Sequence, residues 1–134
     1  MPARPLVVGV DSSTQSVKVE ARDLATGDVV ATGSAKHPPT TPPVSEQDPR
    51  AWWDALVAAC AQLGDHRRDV VAISVAGQQH GLVLLDAAGE PVRPAKLWND
   101  TTSAPNAERL VARFGAGRWA AATGSQGGRR GECT

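Results

Sequence analysis

The chain of 134 residues contains no tyrosine, one phenylalanine and one methionine, and aromatic residues make up only 4% of it. Few rings are available to a core, and aliphatic side chains must supply most of it. Cysteine is scarce too. Cys60 and Cys133 lie far apart, match no metal-ligand spacing and imply no disulfide framework; Cys60 falls in a helical stretch and reads as a small core residue. Neither sign of charge is in excess, with 14 Lys and Arg against 14 Asp and Glu. That removes any broad electrostatic case for a nucleic-acid partner or an anionic membrane surface. An apolar run of about 18 residues, enough to span a bilayer, is absent. The opening Met1-Pro-Ala-Arg-Pro5 lacks the apolar stretch of a secretory signal, so a cytoplasmic location is expected.

What is present is an ordinary globular composition, 41% hydrophobic and 21% charged. The length suits one domain with a modest core. The most informative segment is Leu6-Val-Val-Gly-Val-Asp11-Ser-Ser-Thr14-Gln-Ser16-Val-Lys18-Val. An apolar run ends in a carboxylate, four small or polar residues follow, and apolar residues then alternate with others. The pattern predicts strand, tight loop, strand. Such a loop offers backbone N–H groups and the hydroxyls of Ser12, Ser13, Thr14 and Ser16, with Lys18 just beyond. It can hold nucleotide phosphates, with Asp11 placed to recruit Mg²⁺. It is not the Gly-Lys-Ser/Thr phosphate loop that enters a helix. The plainer alternative is a β-hairpin with a hydroxyl-rich turn, in which Asp11 only caps the turn and Lys18 is the solvent face of a strand.

Along the chain, strands are expected at 6–10, 17–23 and 29–35, with a turn at 24–28 in which Gly27 takes positive φ. Together they form a three-stranded meander. Residues 36–44 carry four prolines and read as an extended surface loop. Asp48 caps a helix that begins at Pro49 and ends at Gly64. Trp52, Leu56, Cys60 and Leu63 recur near helical spacing, and Trp52 and Trp53 read as core rather than ligand contacts. Residues 70–76 are almost wholly apolar, which suggests a strand buried on both faces. The strand–helix–strand crossover favours a parallel partner, the first strand. Another strand is expected at 81–85, followed by a turn at 86–90 that echoes the one around Gly27. A last helix runs from a Ser103 cap to Phe114. The sum is an α/β layer.

Three further blocks carry polar groups suited to a ligand. Ala76-Gly77-Gln78-Gln79-His80-Gly81 bends sharply at a strand's C-terminal end, where α/β sites form. Amide and imidazole groups there can donate to or accept from hydroxyls; the plain alternative is an ordinary loop. In Leu97-Trp98-Asn99-Asp100, Trp98 can stack on a ligand's apolar face or fill the core, and Asp100 can bind hydroxyls. Ser45-Glu-Gln-Asp48-Pro49 precedes Trp52-Trp53. His37 and His66 have no partner pattern and read as surface residues.

Taken in order with the opening loop, these blocks resemble the N-terminal part of the FGGY carbohydrate kinases, nearest their xylulokinase branch. The resemblance covers residues 6 to 124. Ser13 stands where the family usually has Gly, and Gln79 where Met is common, which leaves the sugar less defined. The resemblance implies a ribonuclease H-like fold of the sugar kinase and actin type, here a partial N-terminal domain over 1–124. It implies ATP and Mg²⁺ as cofactors, with Asp11, Ser13, Thr14 and Lys18 near the phosphates and Asp11 at the metal. It places Gln79, His80, Asp100 and Trp98 at the sugar, most simply D-xylulose phosphorylated to its 5-phosphate. Small-molecule sugar and ATP are then the only partners, and the full-length kinase is a homodimer. In the family the catalytic Asp base lies far downstream, so this chain is expected to be inactive alone. Residues 125–134 read as a disordered tail, which suggests a truncated or frame-shifted longer gene, the alternative being a naturally short paralogue. The alternatives are another FGGY sugar or polyol kinase, a non-catalytic sugar-binding fragment, or a gene remnant.

Overall fold

The computed structural model describes residues 4–124. Strands β1 (Leu6–Ser12), β2 (Ser16–Asp23) and β3 (Val29–Lys36) pair antiparallel in sequence, as the alternation predicts. The turns behave as expected. Asp23 Oδ1 accepts from the N–H groups of Ala25 and Thr26, and Gly27 sits at φ 79°. The later turn repeats the device, with Asp86 Oδ1 accepting from Ala88 and Glu90, and Gly89 at φ 82°.

Next come the short strand β4 (Glu46–Gln47) and helix α1 (Pro49–Ala61). Asp48 caps α1 by accepting from the Arg50 N–H, and Pro49 opens it. A 3₁₀ turn over Gly64–Asp69 leads to β5 (Val70–Gly77). β5 lies parallel to β1, with Val8 beside Ile73 and Asp11 beside Ala76. The sheet order is β3-β2-β1-β5, the meander-plus-crossover that the resemblance implies.

The core lies between one face of β1–β3 and α1. Leu6, Val8 and Val10 alternate with exposed or half-buried neighbours, as do Val17, Val19 and Ala21, and the buried set meets Ala55, Ala59 and Leu63. Small residues do this work for a steric reason. A Cβ built on Gly33 would stand 2.1 Å from the Ala59 carbonyl oxygen, so the α1 backbone rests directly on β3. Cys60 is half-buried against this core.

Several expectations need correction. The apolar run of β5 is not buried on both faces. Val71, Ile73 and Val75 are exposed, Ile73 by 57%, because β5 is a sheet edge and α1 covers only the β1–β3 side. Trp53 is 66% exposed, so it is not core; the helix turns Ala55 and Ala59 inward instead. Residues 81–85 form no strand but isolated bridges, Leu82 with Lys96 and Leu85 with Pro91. The two-residue pairing of β4 with β6 (Ala95–Lys96) was too short to carry an alternation signal. The last helix is α2 (Ala104–Phe114), and Ser103 occupies its cap position without a side-chain bond. A further helix, α3 (Ala116–Thr123), follows the break at Gly115, whose φ is 80°. No helix among the described residues is long and apolar enough to cross a membrane. The expected tail at 125–134 lies outside the described residues.

Candidate functional site

β1 and β5 run parallel, so their C-terminal ends emerge side by side. Asp11 ends one and the Gly77–His80 bend follows the other. A pocket of about 400 Å³ opens there, lined by Asp11, Ser13, Thr14, Gln78, Gln79, His80 and Trp98 among others. The side chains expected at the phosphates and at the sugar thus face one cavity, apart from Lys18 and Asp100.

Asp11 belongs to the exposed face of β1, since Val10 is turned inward and Asp11 outward. No side chain among the described residues bonds its carboxylate. Lys18 is its cross-strand partner in the β1–β2 ladder, so the two side chains stand on one face, about 5 Å apart at Cβ. Lys18 flanks the pocket through Asp11 rather than lining it.

The loop between β1 and β2 is closed by Ser13. Its N–H donates to the Ser16 carbonyl at 3.0 Å and its hydroxyl to the same oxygen at 3.1 Å. Ser13 therefore shapes the loop and has no hydroxyl proton left for a phosphate. The N–H groups of Thr14 and Gln15 have no internal partner among the described residues and are the loop's available donors.

Thr14 is bound on both sides. Its hydroxyl donates to Gln78 Oε1 at 3.1 Å and accepts from Trp98 Nε1 at 2.9 Å. Gln78 is itself tied down, because its N–H donates to the Ser12 carbonyl at 2.9 Å. Trp98 is fixed by its edge while its ring stays 56% exposed. A ring held that way is open to contact rather than core filler.

Gln79 and His80 are exposed at the pocket. His80 has φ 60°, the only positive value at a non-glycine among the described residues. Left-handed backbone at such a residue is strained and clusters at functional sites.

Asp100 is placed elsewhere. Its side chain is 1% exposed and accepts from the Ser45 N–H at 2.8 Å, the Thr102 N–H at 3.0 Å and Lys96 Nζ at 3.1 Å. The Thr102 hydroxyl donates to it as well. Burial alone would raise its pKa, but these donors outweigh burial and hold it well below the usual carboxylate value. The carboxylate has its partners inside the protein; it pins the Leu97–Thr102 turn to Ser45 and so aims Trp98.

Two supporting residues escaped the sequence reading. Gln47 is buried, donates to the Thr14 carbonyl at 3.0 Å, and accepts from Trp52 Nε1 at 2.7 Å. His37, expected at the surface, is 5% exposed. Its Nδ1 lies 2.9 Å from the Ser13 carbonyl, and its N–H donates to the Gln15 carbonyl at 2.9 Å. A polar Gln between acidic residues, and a His beside prolines, gave no periodic signal.

The described residues contain no group of three or more His, Cys, Asp or Glu able to hold a metal. Mg²⁺ does not require one, since it commonly binds through one or two carboxylates, phosphate oxygens and water. An exposed, unbonded Asp11 beside free loop N–H groups fits that mode.

The FGGY family of carbohydrate kinases, N-terminal domain, matches residues 6–126, and the chain belongs to this family. The particular relatives agree. It is 58% identical over 122 residues to a xylulose kinase of Streptomyces coelicolor, covering 90% of this chain and 25% of that protein. It is 43% identical over 112 residues to the xylulose kinase of Escherichia coli, covering 81% of this chain and 23% of that one. Among solved structures, the xylulose kinase of Bifidobacterium adolescentis superposes with a TM-score of 0.80 at 43% identity, over 93% of this chain and 27% of that chain. The chain thus spans about a quarter of the length of these relatives. The fold is that of the N-terminal part of the kinase's first α/β domain.

Proposed function

We propose that these residues form the sugar wall and the first phosphate loop of a cytoplasmic kinase that moves the γ-phosphoryl group of ATP to a terminal hydroxyl of a pentulose, D-xylulose. The observation that carries this is the convergence of Asp11, Thr14, Gln79 and strained His80 on one pocket. The similarity to xylulose kinases supports the choice of sugar.

ATP and Mg²⁺ are the cofactors of this reading. Asp11 would hold the metal, which supplies charge neutralisation at the phosphates when bound. The loop N–H groups and Lys18 receive phosphate oxygens. Gln79 and His80 bind sugar hydroxyls, and Trp98 presents its ring to the carbon skeleton. Phosphoryl transfer also needs a base for the accepting hydroxyl and a second wall to position the reactants. Among the described residues Asp11 is the only carboxylate lining the pocket, and it is already assigned to the metal. The chain by itself is therefore expected to bind weakly and not to turn over.

The test has two parts. Titrating D-xylulose into ¹⁵N-labelled chain should move the Gln79 and His80 amides with a dissociation constant of about 1 mM or weaker, roughly −4 kcal/mol at best. A coupled ADP-release assay with ATP, Mg²⁺ and D-xylulose should give no turnover. Unmoved Gln79 and His80 amides would remove the sugar assignment. Turnover on the order of 1 per second that disappears in Asp11→Ala would show that the chain carries its own base.

A further inference from the structure

The loop between β1 and β2 is held from behind. Three successive carbonyls in it are taken by two residues outside it. His37 Nδ1 lies 2.9 Å from the Ser13 carbonyl, and the His37 N–H donates to the Gln15 carbonyl at 2.9 Å. Gln47 Nε2 donates to the Thr14 carbonyl at 3.0 Å. Both residues are buried, His37 with 5% and Gln47 with 3% of its surface exposed.

A trans peptide is planar, so its C=O and N–H point in opposite directions. A Ser13 carbonyl turned toward His37 therefore turns the Thr14 N–H away from it. A Thr14 carbonyl turned toward Gln47 does the same for the Gln15 N–H. These are the two loop N–H groups without an internal partner among the described residues. Successive N–H groups presented by a loop make an anion cradle. A flip of the Thr14–Gln15 peptide would put a carbonyl lone pair where a phosphate oxygen belongs.

Gln47 suits this position by its chemistry and not only by its size. The Trp52 indole N–H is solely a donor, so the amide oxygen must face it, at 2.7 Å. Both Nε2 hydrogens are then left for carbonyls, and those of Thr14 and Pro38 take them. The side chain must accept once and donate twice, which Glu, Met and Lys cannot do. Its backbone is anchored too, since Gln47 pairs with Ala95 where β4 meets β6.

We propose that Gln47 is a positioning residue for phosphate binding. Its amide locks the Thr14–Gln15 peptide with the N–H outward, and His37 clamps the peptides on either side. The role rests on the reading of this loop as a phosphate loop.

ADP with Mg²⁺ is the probe, added to the ¹³C,¹⁵N-labelled 134-residue chain and to Gln47→Met, Gln47→Glu and Leu63→Ala. Leu63 is a buried core residue, so its truncation lowers stability without touching the loop. In the parent, ADP should move the Thr14 and Gln15 amides. Gln47→Met keeps the side chain's length and removes both donors. It should weaken that response about tenfold, the equivalent of one hydrogen bond. Gln47→Glu sets a carboxylate against two carbonyls and should weaken it further. Leu63→Ala should stay within about twofold of the parent. Before ligand is added, the Thr14 carbonyl ¹³C and Gln15 ¹⁵N shifts should change in both Gln47 variants and hold in Leu63→Ala. Should the Gln47 variants fail to fold, which their amide spectra report, the parent decides alone. A scalar coupling across the hydrogen bond should join Gln47 Nε2 to the Thr14 carbonyl carbon. The proposal is overturned if Gln47→Met binds ADP as the parent does, if Leu63→Ala loses as much as Gln47→Met, or if that coupling is absent. A parent in which ADP moves neither amide would sink the phosphate reading, and this role with it.

Discussion

The two sides of β1 differ sharply. Toward β2 and β3 the sheet is roofed by α1, and Leu6, Val8, Val17 and Val19 are buried with Ala59 against them. Toward β5 the strand is just as apolar, yet Val71, Ile73 and Val75 stand exposed, followed by Leu82, Val83, Leu84 and Leu85. Composition does not separate these regions; cover does. Apolar content in a strand shows that a surface is suited to burial, not that these residues bury it.

The sharpest way to break this contrast is to truncate a side chain on each side. Leu6→Ala removes a side chain that is 1% exposed and should lower unfolding free energy by about 4 kcal/mol. Next is Gly33→Ala, whose new Cβ meets the Ala59 carbonyl oxygen. Because that neighbour is backbone, α1 must lift, with a loss of about 3 kcal/mol. Asp100→Ala strands the Ser45 and Thr102 N–H groups and should cost about 2 kcal/mol, while freeing Trp98 and so broadening its indole N–H resonance. Ile73→Ala, on the open side, should change stability by about 0.5 kcal/mol or less. Urea unfolding of the four variants ranks them. An Ile73→Ala loss equal to that of Leu6→Ala would mean that β5 is packed after all.

Acid sharpens the picture in a different way. Asp23, held by Arg4 and the Ala25 and Thr26 N–H groups, and Asp100 both have pKa values below the ordinary 3.8. The unfolded chain takes up their protons first as pH falls. Their contribution is therefore complete above about pH 5 and is lost as pH drops through 3.8 toward the folded-state values. The melting temperature should fall between pH 5 and pH 2, by less in Asp100→Asn than in the parent chain. An equal fall in both would mean that Asp100 is not ionised in the folded state.

The meander, the crossover helix and the parallel pairing of β1 with the strand after α1 were legible because each rests on local alternation, a cap or a connection rule. Motif order singled out Asp11, Thr14, Gln79, His80 and Trp98, which the fold brings to one pocket. What stayed hidden depends on neighbours distant in sequence. Gln47 and His37 are buried only because Thr14 and Ser13 come back to meet them. Asp100 looks like a free carboxylate until Ser45 and Lys96 surround it. Trp53 reads as core until the helix rotates its alanines inward to let β3 approach.

The parallel register that sets Val8 beside Ile73 has a kinetic meaning. The three meander strands join partners that are near in the chain, and hairpins of that kind close in about 1–10 µs. β5 can reach β1 only after the whole segment through α1 has been gathered in, and that loop must be closed before its contacts give anything back. The meander is thus set to nucleate and β5 to dock late. Substitutions in the first hairpin should slow folding, and those in β5 should chiefly hasten unfolding.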